Sequence, residues 1–251
     1  MVIDYNFYLN MQISGGTREE LPYEVHTALQ LCQKAHEPLP KMEQFRSSLG
    51  AEGFVYNIGR TTYLVFRGTD EWRDRLVDVA AVKTYYKNPL SPVRVHLGFK
   101  NGYRSVRKQV LKLVSRMEME RLVIIGHSYG GALATFASLD FPWADVTYLF
   151  ATPKVGNNSF VKMFNRRFPR CYNIIKCDDI VPCLPLGAMG YSHVGTMYSL
   201  DRGVVMKDPL FEWPNFISLT SPMATMKERI GAHLISSYIK EIDMHFETCQ
   251  K

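Results

Sequence analysis

From Leu122 to Ile125 the chain carries four apolar residues in a row, and Gly126 then breaks the run. That pattern suits a strand buried on both faces, followed here by a helix of small residues. Residues 53–58 and 61–66 read as two strands joined by a turn at Gly59-Arg60, the second strongly β-branched and aromatic. Residues 146–151 and 171–176 are further apolar strands, and a hairpin follows around Asp201-Arg202-Gly203. Helical spacing places Val25, Leu29 and Cys32 on one face of residues 21–35, with Pro22 suited to the start of that helix. Residues 103–117 predict a basic amphipathic helix, and residues 224–242 predict the last helix. Between the hairpin and that helix, residues 208–226 are rich in proline, aromatic residues and methionine, which reads first as loop packed on the core and otherwise as an acyl-binding wall or a lipid-facing surface.

Between the strand ending at Ile125 and its helix stands Gly126-His127-Ser128-Tyr129-Gly130, the G-x-S-x-G pattern of a nucleophile elbow. A serine in a tight, strained turn projects its hydroxyl above the sheet, and residues without Cβ on either side let strand and helix approach. Glycine and serine are common enough that the five letters alone arise by chance in roughly one chain in ten of this length. The strand before and the small-residue helix after supply the context that the chemistry requires.

Residues 61–66 run into Phe66-Arg67-Gly68-Thr69-Asp70, and from here the chain resembles the class 3, or fungal-type, lipases of the α/β-hydrolase superfamily. The resemblance continues through Val95-His96-Leu97-Gly98-Phe99, the elbow, Thr152-Pro153-Lys154-Val155-Gly156-Asn157, Asp178-Asp179-Ile180-Val181-Pro182, and Gly231-Ala232-His233-Leu234 followed by Tyr238. It spans about residues 61–238 with the motifs in the family's order. Against the family, Ala151 replaces a glycine, Lys154 an arginine, and Ala232 an acidic residue. The resemblance implies an α/β-hydrolase fold, a mostly parallel central sheet flanked by helices. It implies Ser128 as nucleophile, Asp179 as acid and His233 as base, with the backbone N–H groups of Thr69 and Tyr129 as oxyanion hole. His245 is the fallback base. His96 and His193 match structural histidines, and a buried, hydrogen-bonded role is also the physical default for a histidine in an apolar run. A lid segment with Asp78 is implied after Thr69, where Arg75 occupies the place of a tryptophan and Trp72 lies one helical step earlier.

A chain of 251 residues, 46% hydrophobic, buries a substantial core, and no repeat or polar linker divides it, so one domain over residues 1–251 is expected. There is no transmembrane-length apolar run and no leader-like start. Five cysteines, an odd number, point to reduced thiols and favour a cytoplasmic setting. The triplet Cys171, Cys177 and Cys183 misses zinc-ligand spacing, so neither metal nor cofactor is expected. The net charge of +6 reads first as a solvated surface and second as attraction to an anionic lipid surface; no nucleic-acid-binding module is visible.

These observations converge on a serine carboxylester hydrolase acting on fatty acyl esters, triacylglycerol lipase-like, with a lipid or acyl-ester substrate and transient contact with a lipid surface. The rivals are a phospholipase A1 or galactolipase using the same three residues, a catalytically silent lipid-binding relative, and a serine peptidase on the same fold.

Overall fold

The computed structural model describes residues 17–18, 21–34, 41–68, 82–176, 178–201, 203–207 and 231–249. In chain order the elements are β1 (Thr17–Arg18), α1 (Glu24–Lys34), β2 (Glu43–Arg46), β3 (Glu52–Ile58), β4 (Thr61–Phe66), β5 (Lys83–Tyr85), β6 (Arg94–His96) and α2 (Leu97–Val114). They continue as β7 (Arg121–His127), α3 (Tyr129–Asp140), β8 (Val146–Phe150), α4 (Asn158–Arg167), β9 (Cys171–Lys176), β10 (Thr196–Asp201), β11 (Val204–Lys207) and α5 (Ile235–Cys249).

Nine strands form one sheet in the order β1-β11-β10-β9-β8-β7-β4-β3-β2. The five central strands, β4, β7, β8, β9 and β10, are mutually parallel, and the strands added at both edges are antiparallel. Strands β5 and β6 pair separately as a small hairpin sheet.

Successive side chains of a strand leave on opposite faces, and this alternation divides the core in two. On β7, Leu122 and Ile124 join one cluster while Val123 and Ile125 join the other. On β4 the split is Leu64 and Phe66 against Tyr63 and Val65. The first cluster is closed by α2, α3 and α4 through Phe99, Val106, Leu133, Phe136 and Phe160; the second by α1 and α5 through Val25, Leu29, Tyr238 and Ile242. Each such side chain, fully buried, contributes roughly 1.5–3 kcal/mol, so the continuous apolar run of β7 is what two covered faces require.

Two helix starts differ from the sequence expectation. Helix α2 begins at Leu97 rather than Tyr103, because the His96 ring caps it: Nδ1 accepts the Phe99 N–H at 3.3 Å. Helix α5 begins at Ile235 and runs to Cys249, so His233 sits in the turn ahead of it; residues 224–230 of the expected helix lie outside the described residues. Also outside them are the lid segment with Asp78 and the aromatic stretch 208–226.

Candidate functional site

All five parallel strands end at the same edge of the sheet, the edge where open α/β sheets carry their sites. Strand β7 exits there into Ser128, whose φ of 57° and ψ of −126° lie in a region that non-glycine residues rarely occupy. The Ser128 N–H donates to the Phe150 carbonyl at 2.9 Å, and the Gly131 N–H to the Ser128 carbonyl at 2.9 Å, so both sides of the turn are tied down. At Gly130 a Cβ would sit 2.2 Å from the Phe66 carbonyl oxygen and 2.5 Å from that of Arg67. At Gly68 it would sit 2.9 Å from His127 Nδ1 and 3.3 Å from Ser128 Cβ. The exit of β4 is thus pressed against the elbow, and these glycines make the approach sterically feasible.

Asp179 follows β9, and its carboxylate is fixed at both oxygens. Oδ1 accepts the Val181 N–H at 2.9 Å, and Oδ2 accepts the Tyr238 hydroxyl at 2.8 Å. His233 Nδ1 lies 2.9 Å from Asp179 Oδ2 and 3.1 Å from Oδ1, and Nε2 lies 2.7 Å from Ser128 Oγ. With Nδ1–H donating to the carboxylate, Nε2 is left to accept the serine hydroxyl proton. Ser128, Asp179 and His233 are 2%, 1% and 1% exposed. A polar chain this deeply buried is stable only when its members satisfy one another, as they do here.

The imidazole is held from behind as well. His127 stacks on it, with ring centroids 5.0 Å apart, and its Nε2 lies 3.1 Å from the His233 carbonyl oxygen. Tyr238 accepts the Lys176 N–H at 2.9 Å while donating to Asp179, which joins α5 to the end of β9. Burial, first, and then the nearby Asp179 charge hold the Tyr238 pKa well above the usual phenol range, so it stays a neutral donor. The Lys176 ammonium, also buried, donates to Ser237 Oγ and lies 3.6 Å from Asp178 and 3.9 Å from Glu241.

Of the residues singled out by sequence, Ser128, Asp179 and His233 are brought together. Tyr129 opens α3 next to the serine, at the helix end that favours negative charge. Thr69 lies outside the described residues. His245 is elsewhere: it accepts the Leu21 N–H at Nε2 (3.3 Å) and donates from Nδ1 to the Gly203 carbonyl (3.1 Å). His96 and His193 lie outside this chain of hydrogen bonds. Burial pushes His96 down to about 4, and burial with the Lys154 charge pushes His193 down to about 3. Sequence reasoning passed over Tyr238, His127 and Lys176 as functional supports. The five-residue spacing from His233 to Tyr238 was the available signal. Among the described residues no group of histidines, cysteines and carboxylates is arranged to hold a metal ion.

Comparison with known proteins follows the same residues. The family description Lipase (class 3) matches residues 63–189, just over half of the chain. The secreted mono- and diacylglycerol lipase A of Penicillium camembertii is 34% identical over 146 residues, covering 54% of this chain and 46% of that protein. A lipase of Rhizomucor miehei is 29% identical over 151 residues, covering 55% and 41%. The chain therefore spans about half the length of the curated relatives it matches. Among solved structures, the lipase of Rhizopus microsporus var. chinensis superposes with a TM-score of 0.66 at 24% identity over 77% of this chain and 82% of that one. The Rhizomucor miehei lipase propeptide complex gives 0.65 at 22% over 78% and 73%. At such identity these structures speak for the fold, which is that of the α/β-hydrolases.

The cytoplasmic expectation is overturned, since relatives from Penicillium and Fusarium solani are named as secreted lipases. The cysteine count misled for a physical reason. Cys32 and Cys171 are buried free thiols whose pKa values burial drives up, so they stay unreactive in an oxidising or a reducing compartment. No helix of the described residues is long and apolar enough to cross a membrane.

Proposed function

The chain belongs to the class 3 lipase family, and from that premise we propose that it is a serine carboxylester hydrolase that cleaves fatty acyl esters of lipids outside the cell. The observation that supports this most directly is the unbroken sequence of hydrogen bonds from Tyr238 through Asp179 and His233 to Ser128. In this reading His233 Nε2 takes the proton of Ser128 Oγ as the oxygen attacks the ester carbonyl. Asp179 holds the Nδ1–H tautomer and stabilises the imidazolium. The N–H groups of Tyr129 and Thr69 receive the developing oxyanion, each worth roughly 3–4 kcal/mol in the transition state. The protonated His233 then releases the alcohol, and water repeats the sequence to free the acid. The residues 66–68 that press on the elbow keep the serine turn in its strained form, so the hydroxyl is aimed before substrate arrives.

The test is hydrolysis of p-nitrophenyl butyrate by the parent chain and by Ser128→Ala, with fluorophosphonate labelling alongside. The parent turns over and is labelled, and the variant loses turnover by roughly 10⁴-fold or more with its thermal melt intact. Turnover that survives the substitution, or a parent that is not labelled, removes the assignment.

A further inference from the structure

The basic residues are not spread evenly over the chain. Residues 82–117 hold nine lysines and arginines and no aspartate or glutamate, out of totals of 30 and 24. The remainder, with 21 basic against 24 acidic residues, is net negative by three, so the excess positive charge of the molecule belongs to this one segment.

The structure packs the two parts of that segment against each other. The β5–β6 hairpin packs beside the start of α2, where the Leu97 N–H donates to the Val82 carbonyl at 2.9 Å and Lys100 Nζ to the Tyr85 carbonyl at 2.6 Å. Helix α2 turns Phe99, Tyr103, Val106 and Val110 inward. Its outer face is the row Arg104, Lys108 and Lys112, spaced four residues apart and exposed. Asp140 reaches the face from α3, and it is engaged by Arg107 and by the Tyr103 hydroxyl. Burial and the charge of Arg104 lower the Lys100 pKa, as expected among crowded like charges.

Apolar side chains of the same hairpin and helix also stand out into solvent. Leu90, in the hairpin turn, is 93% exposed, and Val82, Tyr85 and Leu97 are between 37% and 48% exposed. Cations flanking outward-facing aliphatic residues match a surface of anionic headgroups over acyl chains, whereas a purely polyanionic partner offers nothing to Leu90.

We propose that the β5–β6 hairpin and the outer face of α2 form a docking surface for anionic lipid bilayers. The choice of lipid over other polyanions rests on the reading of the chain as an acyl-lipid hydrolase; the charge asymmetry does not. Lysines and arginines hold the headgroup plane while Leu90 enters the interface, which delivers the enzyme to anionic phospholipid in preference to neutral lipid.

Docking is measured by co-sedimentation of the Ser128→Ala chain with phosphatidylcholine vesicles, with and without phosphatidylglycerol. Binding appears with phosphatidylglycerol and fades as salt is raised through the range that screens surface charge. Arg104→Glu with Lys108→Glu weakens it by at least about tenfold, each cation near the surface being worth about fivefold. Leu90→Ser weakens binding to the anionic vesicles with the net charge unchanged. In the Ser128 background these variants keep the parent's thermal melt and its turnover of dissolved p-nitrophenyl butyrate. Equal binding to phosphatidylcholine alone, no effect of the charge reversals, or capture by duplex DNA with vesicles left unbound overturns the proposal. A parent chain inactive on esters that still docks on phosphatidylglycerol removes the hydrolase reading and leaves the docking surface.

Discussion

His233 and His96 are each 1% exposed, and they meet opposite surroundings. Around His233 both ring nitrogens have partners, a carboxylate at 2.9 Å and a hydroxyl at 2.7 Å, and the carboxylate is itself held by a tyrosine and a backbone N–H. His96 uses Nδ1 to cap α2, stacks on Phe99 with centroids 4.1 Å apart, and leaves Nε2 buried without a hydrogen-bond partner among the described residues. At His96 burial acts alone and lowers the pKa, whereas at His233 the Asp179 carboxylate faces Nδ1 and the serine hydroxyl faces Nε2. Burial and residue type are shared; the partners separate a base from a structural ring.

The largest effect that tests this contrast is on turnover. His233→Ala is expected to lower kcat by roughly 10⁴- to 10⁶-fold on a soluble ester while the melt changes little. His96→Asn, which keeps a capping acceptor, leaves kcat within a few-fold. A large loss of kcat in His96→Asn with the melt intact breaks the contrast.

The next effect is on stability against pH. His96 titrates near 4 in the folded chain against about 6.5 when unfolded, so between those values the unfolded state binds more protons. Its share of stability is complete above pH 6.5 and is lost as pH falls towards 4, on the order of 3 kcal/mol at 1.36 kcal/mol per unit. His193, pushed to about 3, extends the loss further. Urea unfolding at pH 7, 5 and 4 reads this slope. His96→Asn flattens it; an unchanged slope assigns the acid sensitivity to other groups.

Smaller, and sharpening the contrast from the other side, is Tyr238→Phe. It removes one hydrogen bond from Asp179 and leaves the Lys176 N–H unpaired in the interior, at a cost of about 1–3 kcal/mol. The expected result is a drop in kcat of about tenfold with KM for a soluble ester unchanged and the acid limb of the pH-rate profile displaced. A variant that loses stability but keeps the parent's pH-rate profile confines Tyr238 to tying α5 to β9.

Much of the frame was legible in the residues. The run Leu122–Ile125 is apolar at every position because helices cover both faces, and β4 has the bounds that its β-branched pattern indicates. The glycines flanking Ser128 announced the sharp turn. The start of α2 was missed because a histidine cap has no common sequence signal, and the start of α5 because periodicity passes through a break such as residues 233–234 unnoticed. His245 was an open rival to His233 for a related reason: one lies within the last helix and the other just before it, and nothing local distinguishes a ring that faces Ser128 from one that faces Gly203.

By itself, the sequence determined strands β3, β4, β7, β8 and β9 and the elbow, because each is written in spacings of a few residues, and its motifs carried the resemblance that implied the family and the mostly parallel sheet. The tertiary structure decided which histidine meets the serine 105 positions away and which tyrosine steadies Asp179. Local preference is encoded by neighbours in the chain, whereas convergence depends on how two apolar faces of one sheet are covered, and that packing is settled only when all the elements are in place.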